Sequence, residues 1–185
     1  SIYLMHGNAA ASTTPEAIKI MIEAIRAKGY DFATITGLLA SEGYYPEEPV
    51  VEIPAINDVS KLVNRVNTNQ QVVSLTISGV NDDERIDAIL NNLSTLGVKA
   101  TFFVNGSTSQ SALNKIVAAG HEIGNQAYSG SIITGMTPEQ LAAEVALTET
   151  AVSNSGATSK PYFRAPGGLS NASVLETVGS LGYDY

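Results

Sequence analysis

The stretch from Gln71 to Gly130 constrains the fold most, because it contains two apolar runs separated by a helical pattern. Apolar residues dominate positions 72–77 and again 100–104. Short runs without alternation are typical of parallel strands that are covered on both faces. Between them, apolar residues recur at helical spacing and stop before Gly97; they are Ile86, Ile89, Leu90 and Leu93. This stretch therefore predicts a strand–helix–strand unit of an α/β fold.

Strand and helix patterns on both sides extend this unit. Mostly parallel strands are predicted at residues 1–5, 31–36, 72–77, 100–104, 121–124 and 161–165, and another begins near Tyr183. Helices are predicted to begin at Thr14-Pro15, at the capping box Thr137–Gln140, and at Ser170 or Asn171. About seven strands thus alternate with helices along the chain.

Residues 41–70 are predicted to be a linker. Pro46, Pro49 and Pro54 interrupt any long element there. A short helix is possible at 57–66, where Val59, Leu62, Val63 and Val66 would share one side.

Composition excludes several classes of partner. The net charge of −8 over 185 residues opposes binding to nucleic acid or anionic membranes. No apolar run approaches the roughly 20 residues that a membrane-spanning helix needs. The chain has no cysteine, which excludes disulfides and thiolate metal sites. A surface rich in Ser, Thr and Asn favours an extracellular or cell-surface location.

Four phrases in this order and spacing resemble a known family. They are LTISGVNDD, GVKATFFVNG, GHEIGNQAYSG and YFRAPGG, and they resemble the NodB-homology polysaccharide deacetylases of carbohydrate esterase family 4. The resemblance implies a distorted (β/α) barrel of about seven parallel strands. It also implies hydrolysis of N-acetyl or O-acetyl groups on chitin, peptidoglycan or xylan, at a divalent metal such as zinc or cobalt.

The family's metal site is the part that this sequence lacks. The family has Thr-Phe-Asp-Asp-Gly at its first motif, where one Asp is the catalytic base and the other a metal ligand; here Ser78 and Gly79 take those positions. The second motif, His-Ser/Thr-x-x-x-His, has Gln126 and Gly130 at its two histidines. A hydroxyl and an amide are poor replacements for imidazole and carboxylate ligands. We therefore predict no metal cofactor and no confident catalytic residue.

Two further residues match functional positions of the family. His6 matches the general-acid histidine, although the Asp expected after it is Gly7, and it is otherwise a partly exposed loop histidine. Arg164 matches the arginine that pairs with the base; without that base, it either finds another acceptor or presents its guanidinium to the groove. We expect His6 at the same strand-end face as Ser78, Gln126 and Arg164.

The remaining groove positions implied by the resemblance surround these residues. The whole predicted groove comprises Ser78, Gly79, Gln126, Tyr128, Gly130 and Pro166. Tyr128 could stack on sugar rings or pack as a half-buried aromatic residue. His121 falls on a position that serves packing in the family, and we interpret it as structural.

The motifs occur in an inverted order. Residues 1–40 resemble the end of the family pattern, and residues 71–185 resemble its beginning. One explanation is a circular permutant whose old termini are joined through 41–70, which is tolerated where termini lie close together. The other is a window across two tandem repeats. Two strands and a helix alone would not be stable, which favours a single permuted barrel over 1–185.

These observations predict a deacetylase-like domain without catalytic activity. It would bind a polysaccharide or oligosaccharide, or support neighbouring domains, within a secreted carbohydrate-active protein. One alternative is an active deacetylase or acetyl esterase with an atypical site. The other is a purely structural module that binds no sugar.

Overall fold

A parallel β-sheet forms the centre of the fold in a computed structural model, which describes residues 2–6, 14–41, 66, 68–81, 83–159 and 161–185. Its strands are β1 (Ile2–His6), β2 (Asp31–Ala33), β3 (Val72–Ser78), β4 (Thr101–Val104) and β5 (Glu122–Asn125). The spatial order is β1–β3–β4–β5, and β2 also pairs with β3. All of these pairs are parallel. The predicted α/β class is confirmed.

Strand β3 lies at the centre of the pairing. Its carboxyl-terminal half pairs with β1, in a register that sets His6 opposite Ser78. Ser78 is also the partner of Phe103 in β4. The amino-terminal end of β3 pairs with β2, where Asp31 lies opposite Val72. Strands β1 and β2 therefore join the sheet built by residues 72–125.

The strand predicted at 161–165 is reduced to single bridges. Asn125 bridges Phe163, and Tyr162 bridges Asp184, both in parallel orientation. Pro161 and Pro166 bracket this segment and cannot donate to a ladder, which limits its pairing. The sheet nevertheless continues beyond β5 through two more strand positions. Closure into a complete barrel stays a prediction.

Six helices surround the sheet in the described part of the chain. They are α1 (Thr14–Ala27), α2 (Ile35–Leu39), α3 (Asp83–Thr95), α4 (Gln110–Ala118), α5 (Pro138–Ser153) and α6 (Ala172–Ser180). The predicted capping box of Thr137 and Gln140 is confirmed, as is the cap of Asn171 on the Val174 amide. Over these residues, no helix combines the length and apolar character needed to cross a membrane.

Two apolar clusters hold the helices against the sheet. The larger packs α1, α3 and α4 on β3 and β4, through side chains that include Ile18, Ile22, Leu75, Ile77, Ile89, Leu93 and Phe102. The second joins α5 and α6 to the bridged segment, around Val145, Phe163, Val174 and Val178. The helical stripes predicted from spacing are thus the buried faces, as amphipathic helices require.

The strand predicted at 31–36 is wrong beyond Ala33, because α2 begins there. Thr34 adopts an extended conformation and its hydroxyl accepts a hydrogen bond from the Gly37 amide, so it acts as an N-cap. The first residues of α2 then contact the amino-terminal ends of the strands. The Ile35 amide donates to Thr101 Oγ1 at 3.2 Å, and the hydroxyls of Thr36 and Tyr162 lie 2.7 Å apart. Helix α2 therefore packs against the end of the sheet opposite Ser78.

His121 is a core residue, as the sequence suggested. Its Nδ1 accepts a hydrogen bond from the Ala100 amide at 3.1 Å. Its ring packs edge-on against Phe102, with 5.3 Å between centroids. Burial, followed by the charge of Lys99, lowers the pKa of His121 to about 4. The imidazole is therefore neutral at physiological pH and accepts, rather than donates, at Nδ1.

The predicted linker lies mostly outside the described residues, which include only 41, 66 and 68–70 of that segment. The short helix considered at 57–66 falls there as well. The choice between a permuted domain and a window across tandem repeats also stays a prediction.

The contact between α2 and the sheet can be tested with Thr101→Val. This substitution removes the hydroxyl that accepts from Ile35 and donates to Glu122 at 2.9 Å. A buried amide would lose its partner, so we expect the free energy of unfolding to fall by about 1–3 kcal/mol in urea titrations. Thr150→Val is the control, since that exposed hydroxyl bonds to Ala146 O of its own helix. Equal effects of the two substitutions would contradict the assigned contact.

The state of His121 can be followed by NMR. Its ring signals should titrate with a midpoint near pH 4, well below the ordinary 6.5. Because the pKa of His121 is lowered in the folded state, the neutral ring contributes fully to the free energy of unfolding above pH 6.5. This contribution declines as the pH falls toward 4. His6 is the only other histidine and provides the comparison signal. A midpoint of 6.5 for His121 would contradict the buried, hydrogen-bonded ring.

Candidate functional site

The carboxyl-terminal ends of the strands bring the predicted site residues together. Ser78 ends β3, between His6 of β1 and Phe103 of β4. Gln126 follows β5 directly, and its backbone N–H donates to Val104 O at 2.8 Å. The backbones of His6, Ser78 and Gln126 therefore lie along one edge, where parallel α/β folds place their sites. The side chain of His6 is not among those that the structure describes.

Arg164 reaches this edge from the bridged segment beyond β5. Its amide donates to Asn125 O at 2.9 Å, which fixes the backbone. Its Nη1 donates to Thr76 Oγ1 at 3.0 Å and to Ser78 Oγ at 3.4 Å. The guanidinium carbon also lies 4.1 Å from the centroid of the Phe103 ring, in a cation–π contact. Two hydroxyls and an aromatic face thus hold the arginine.

The charge of Arg164 has no carboxylate partner in the part of the chain that the structure describes. The ion pairs found there involve Lys19, Arg26 and Lys115. Burial lowers the pKa of Arg164 to about 10, and the nearby Tyr185 partly opposes this change. The guanidinium remains a cation at neutral pH. Nη1 thus finds hydroxyl acceptors in Thr76 and Ser78, and presentation of the rest of the guanidinium to the groove stays a prediction.

The loop after β5 carries the residues of the second motif. Ala127 has a φ of 57° and Gly130 a φ of 68°, so two positions adopt the left-handed region. Tyr128 is 42% exposed. Its ring packs so closely on Gly106 that a Cβ there would lie 2.6 Å from it. The Gly106 amide also donates to Tyr128 O at 2.8 Å. Tyr128 is therefore an anchored aromatic surface at the edge.

Asn125 fixes this loop and was missed by sequence reasoning. Its side chain is fully buried. Its Oδ1 accepts from the Ala127 amide at 2.9 Å, and its Nδ2 donates to Val145 O at 3.0 Å and to Ser159 Oγ at 3.3 Å. The only signal in the sequence was an asparagine at the end of a buried strand. Its partners lie 20 and 34 residues away, so local patterns could not reveal them.

Ser159 extends these contacts into a polar cluster beneath α5. Its hydroxyl donates to Glu149, and Tyr183 Oη lies 3.0 Å from Ser159 Oγ. Burial raises the pKa of Glu149, but hydrogen bonds from Ser159 and Thr158 outweigh burial and leave the pKa lowered. Burial raises the pKa of Tyr183 to about 12. The Glu149 carboxylate thus accepts hydrogen bonds from Thr158, Ser159 and Tyr183.

The other predicted groove positions frame the site without adding charge. Gly79 follows Ser78 with a φ of 72°. Pro166 is buried and begins a single helical turn, Pro166–Gly168. Gly130 is exposed, and a Cβ there would lie 3.1 Å from the Asn105 amide. Together with Gln126 and Tyr128, these residues surround a polar but largely uncharged edge next to Arg164.

The residues present do not fit the metal that the family resemblance implies. Among the described residues, no group of three or more His, Cys, Asp or Glu side chains is placed to hold a metal ion. Ser78 and Gln126 supply a hydroxyl and an amide, and Gly79 and Gly130 supply no side chain. Zinc and related divalent ions prefer imidazole, thiolate or carboxylate ligands. No metal-dependent step can be derived from this set.

Comparisons with known proteins agree with this fold. A chitin deacetylase from Pestalotiopsis sp is 33% identical in an alignment of 101 residues, which covers 51% of this chain and 34% of that protein. A mutant of a Bacillus anthracis CE4-family pseudoenzyme, described as having restored enzymatic activity, is 25% identical with a TM-score of 0.57, over 63% of this chain and 44% of that one. The chain thus spans about a third of the curated relative's length.

A third relative shows how far the fold likeness extends. A Streptococcus pyogenes deacetylase in complex with acetate aligns over 98% of this chain and 80% of its own, with a TM-score of 0.71 and 12% identity. At this identity the likeness establishes the fold alone. The family model described as polysaccharide deacetylase matches residues 65–185, which include every strand-end position discussed except His6. The chain therefore belongs to the polysaccharide deacetylase family.

Proposed function

We propose that this chain is a non-hydrolytic member of its family, which binds a polysaccharide along the strand-end edge. One observation carries the proposal: the edge is formed, but its reactive positions hold Ser78, Gly79, Gln126 and Gly130. Amide or ester hydrolysis at a metal site needs a Lewis acid that polarises the carbonyl and activates a water. It also needs a general base within hydrogen-bonding reach. These four residues supply neither.

Binding is the chemistry that the remaining residues support. Tyr128 offers a partly exposed ring that is anchored against Gly106. Aromatic rings of this kind contact the apolar faces of sugars while a hydroxyl remains in water. Gln126 supplies amide donors and acceptors, and Arg164 supplies a cation. The ligand class we propose is a polysaccharide or oligosaccharide, with no nucleic acid or membrane partner.

The wider context belongs to the same proposal. We place the chain in a secreted or cell-surface protein, where it either binds glycan or supports neighbouring domains. We also retain a circularly permuted domain, because β1 and β2 both pair with β3. A purely structural module would have the same fold and bind no sugar.

An active deacetylase is the second candidate. It is favoured by the identity to a chitin deacetylase, which covers half of this chain. It would require ligands from outside the described residues. The side chain of His6 is one that the structure does not describe, and its imidazole is one such ligand. A single imidazole, however, leaves most of a metal's coordination sphere to water.

The wild-type chain should release no acetate from acetylated chitooligosaccharide or acetylxylan, with or without added zinc or cobalt. The physical reason is the missing base and the missing ligands. Acetate can be measured by an enzyme-coupled assay, with a relative of known activity as the positive control. Release that a chelator abolishes would overturn the proposal in favour of the second candidate.

Restoring the four side chains should create a metal site. Ser78→Asp, Gly79→Asp, Gln126→His and Gly130→His together should bind zinc or cobalt at about micromolar Kd, whereas any two of them should not. Gly79 and Gly130 have φ values of 72° and 68°, so their substitution adds backbone strain of about 1 kcal/mol each.

Hydrolysis by this variant should be weak or absent, because groups that orient the ligands are also missing. Isothermal titration measures the metal, and circular dichroism confirms the fold. A folded quadruple variant that binds no metal would mean that these four positions do not converge.

A further inference from the structure

We propose that Arg164 is a binding site for the carboxylate of an acidic sugar, such as a uronic acid, which enters from the strand-end edge. This inference rests on the proposed polysaccharide binding and names the class of sugar. A neutral glycan would leave the cation without a counter-charge, and an acidic one would neutralise it.

The described residues leave most of the hydrogen-bond donors of Arg164 unused. Its two side-chain bonds both come from Nη1, to Thr76 and Ser78. A guanidinium has five N–H donors in a fixed fork. Nε and Nη2 have no partner among the described residues, and neither is completely sealed from solvent. Both nitrogens therefore keep some exposure to solvent.

An Arg164 held in this way is prepared for a planar anion. The guanidinium carbon lies 4.1 Å from the centroid of the Phe103 ring, and two hydroxyls accept from Nη1. These contacts hold the guanidinium in place before a ligand arrives. Nε and Nη2 form the edge of the guanidinium that donates two parallel hydrogen bonds to a carboxylate. Preorganisation of this kind lowers the entropy lost on binding.

The absence of a competing anion strengthens this assignment. No ion pair to Arg164 exists within the described residues, although the chain as a whole carries a net charge of −8. Acidic side chains are plentiful, and none of those described is placed at this fork. A partly buried cation without a counter-ion gains most from an external carboxylate, because the surrounding dielectric is low.

The test compares charged and neutral probes on the wild-type chain. Sodium glucuronate and galacturonate should shift the Nε–Hε NMR signal of Arg164, whereas glucose should not. Sodium acetate tests the carboxylate without the sugar. It should shift the same Arg164 signal but bind about tenfold more weakly than glucuronate, because it lacks the sugar ring that contacts the edge. Equal shifts with glucose and glucuronate would overturn the inference.

Substitutions then place the site. Ser78→Asp puts an internal carboxylate beside Arg164 and should weaken glucuronate binding by about tenfold or more. Ser78→Asn has the same size without the charge and should weaken binding by less than about threefold. Arg164→Lys keeps the charge but loses the fork, so it should also weaken binding markedly. Arg26→Gln, on helix α1, is the remote control. Equal effects of Ser78→Asp and Ser78→Asn would count against the site.

Failure of this inference is distinguishable from failure of the proposed function. Binding of neutral chitooligosaccharide or xylan fragments without a response to uronate would retain polysaccharide binding and exclude the acidic sugar. Uronate binding that is unaffected by Arg164→Lys would place the anion elsewhere. No binding of neutral or acidic glycans would contradict both, and would leave the structural module.

Discussion

The structure depends on the burial of one strand, β3, between three others. Parallel strands that are covered on both faces require apolar side chains on each face or polar groups with partners. In β3 the two faces differ: Leu75 and Ile77 pack beneath the helices, whereas Ser74, Thr76 and Ser78 alternate with them on the opposite face and are buried as well. This row of hydroxyls gives the site its first two hydrogen-bond partners for Arg164.

The consequence of this arrangement is a cation that has no counter-ion among the residues the structure describes. Burying an arginine costs free energy unless it is hydrogen-bonded and paired. Here Thr76, Ser78 and the Phe103 ring supply part of that compensation. The loop after β5 also keeps a left-handed Ala127, stabilised by Asn125. The strand ends and this loop thus form a defined frame around Ser78 and Gln126.

Much of the fold could be predicted because its signals are local. The apolar runs of β3 and β4, the stripe of α3 and the capping box of α5 follow from spacing alone. The errors arose where local signals competed. Thr34 reads as a strand residue but acts as a cap for α2, and the two prolines around Tyr162 and Phe163 reduce a predicted strand to bridges.

Long-range contacts could not be predicted in the same way. The site positions were recognised because motif spacing placed them at strand ends. The contacts of Asn125 with Val145 and Ser159, and that of Thr36 with Tyr162, join distant residues. No periodicity encodes such contacts. The sequence therefore indicates where the site lies, and the tertiary contacts decide what it can bind.

The central claim is that the frame persists without a metal site. Its most direct test is elemental analysis of wild-type protein that was purified without chelator, combined with thermal unfolding in added zinc and cobalt. A ligand that binds only the folded state must raise the melting temperature. The account predicts no stoichiometric metal and no such rise. Bound metal at one equivalent, or a rise of several degrees that a chelator reverses, would contradict it.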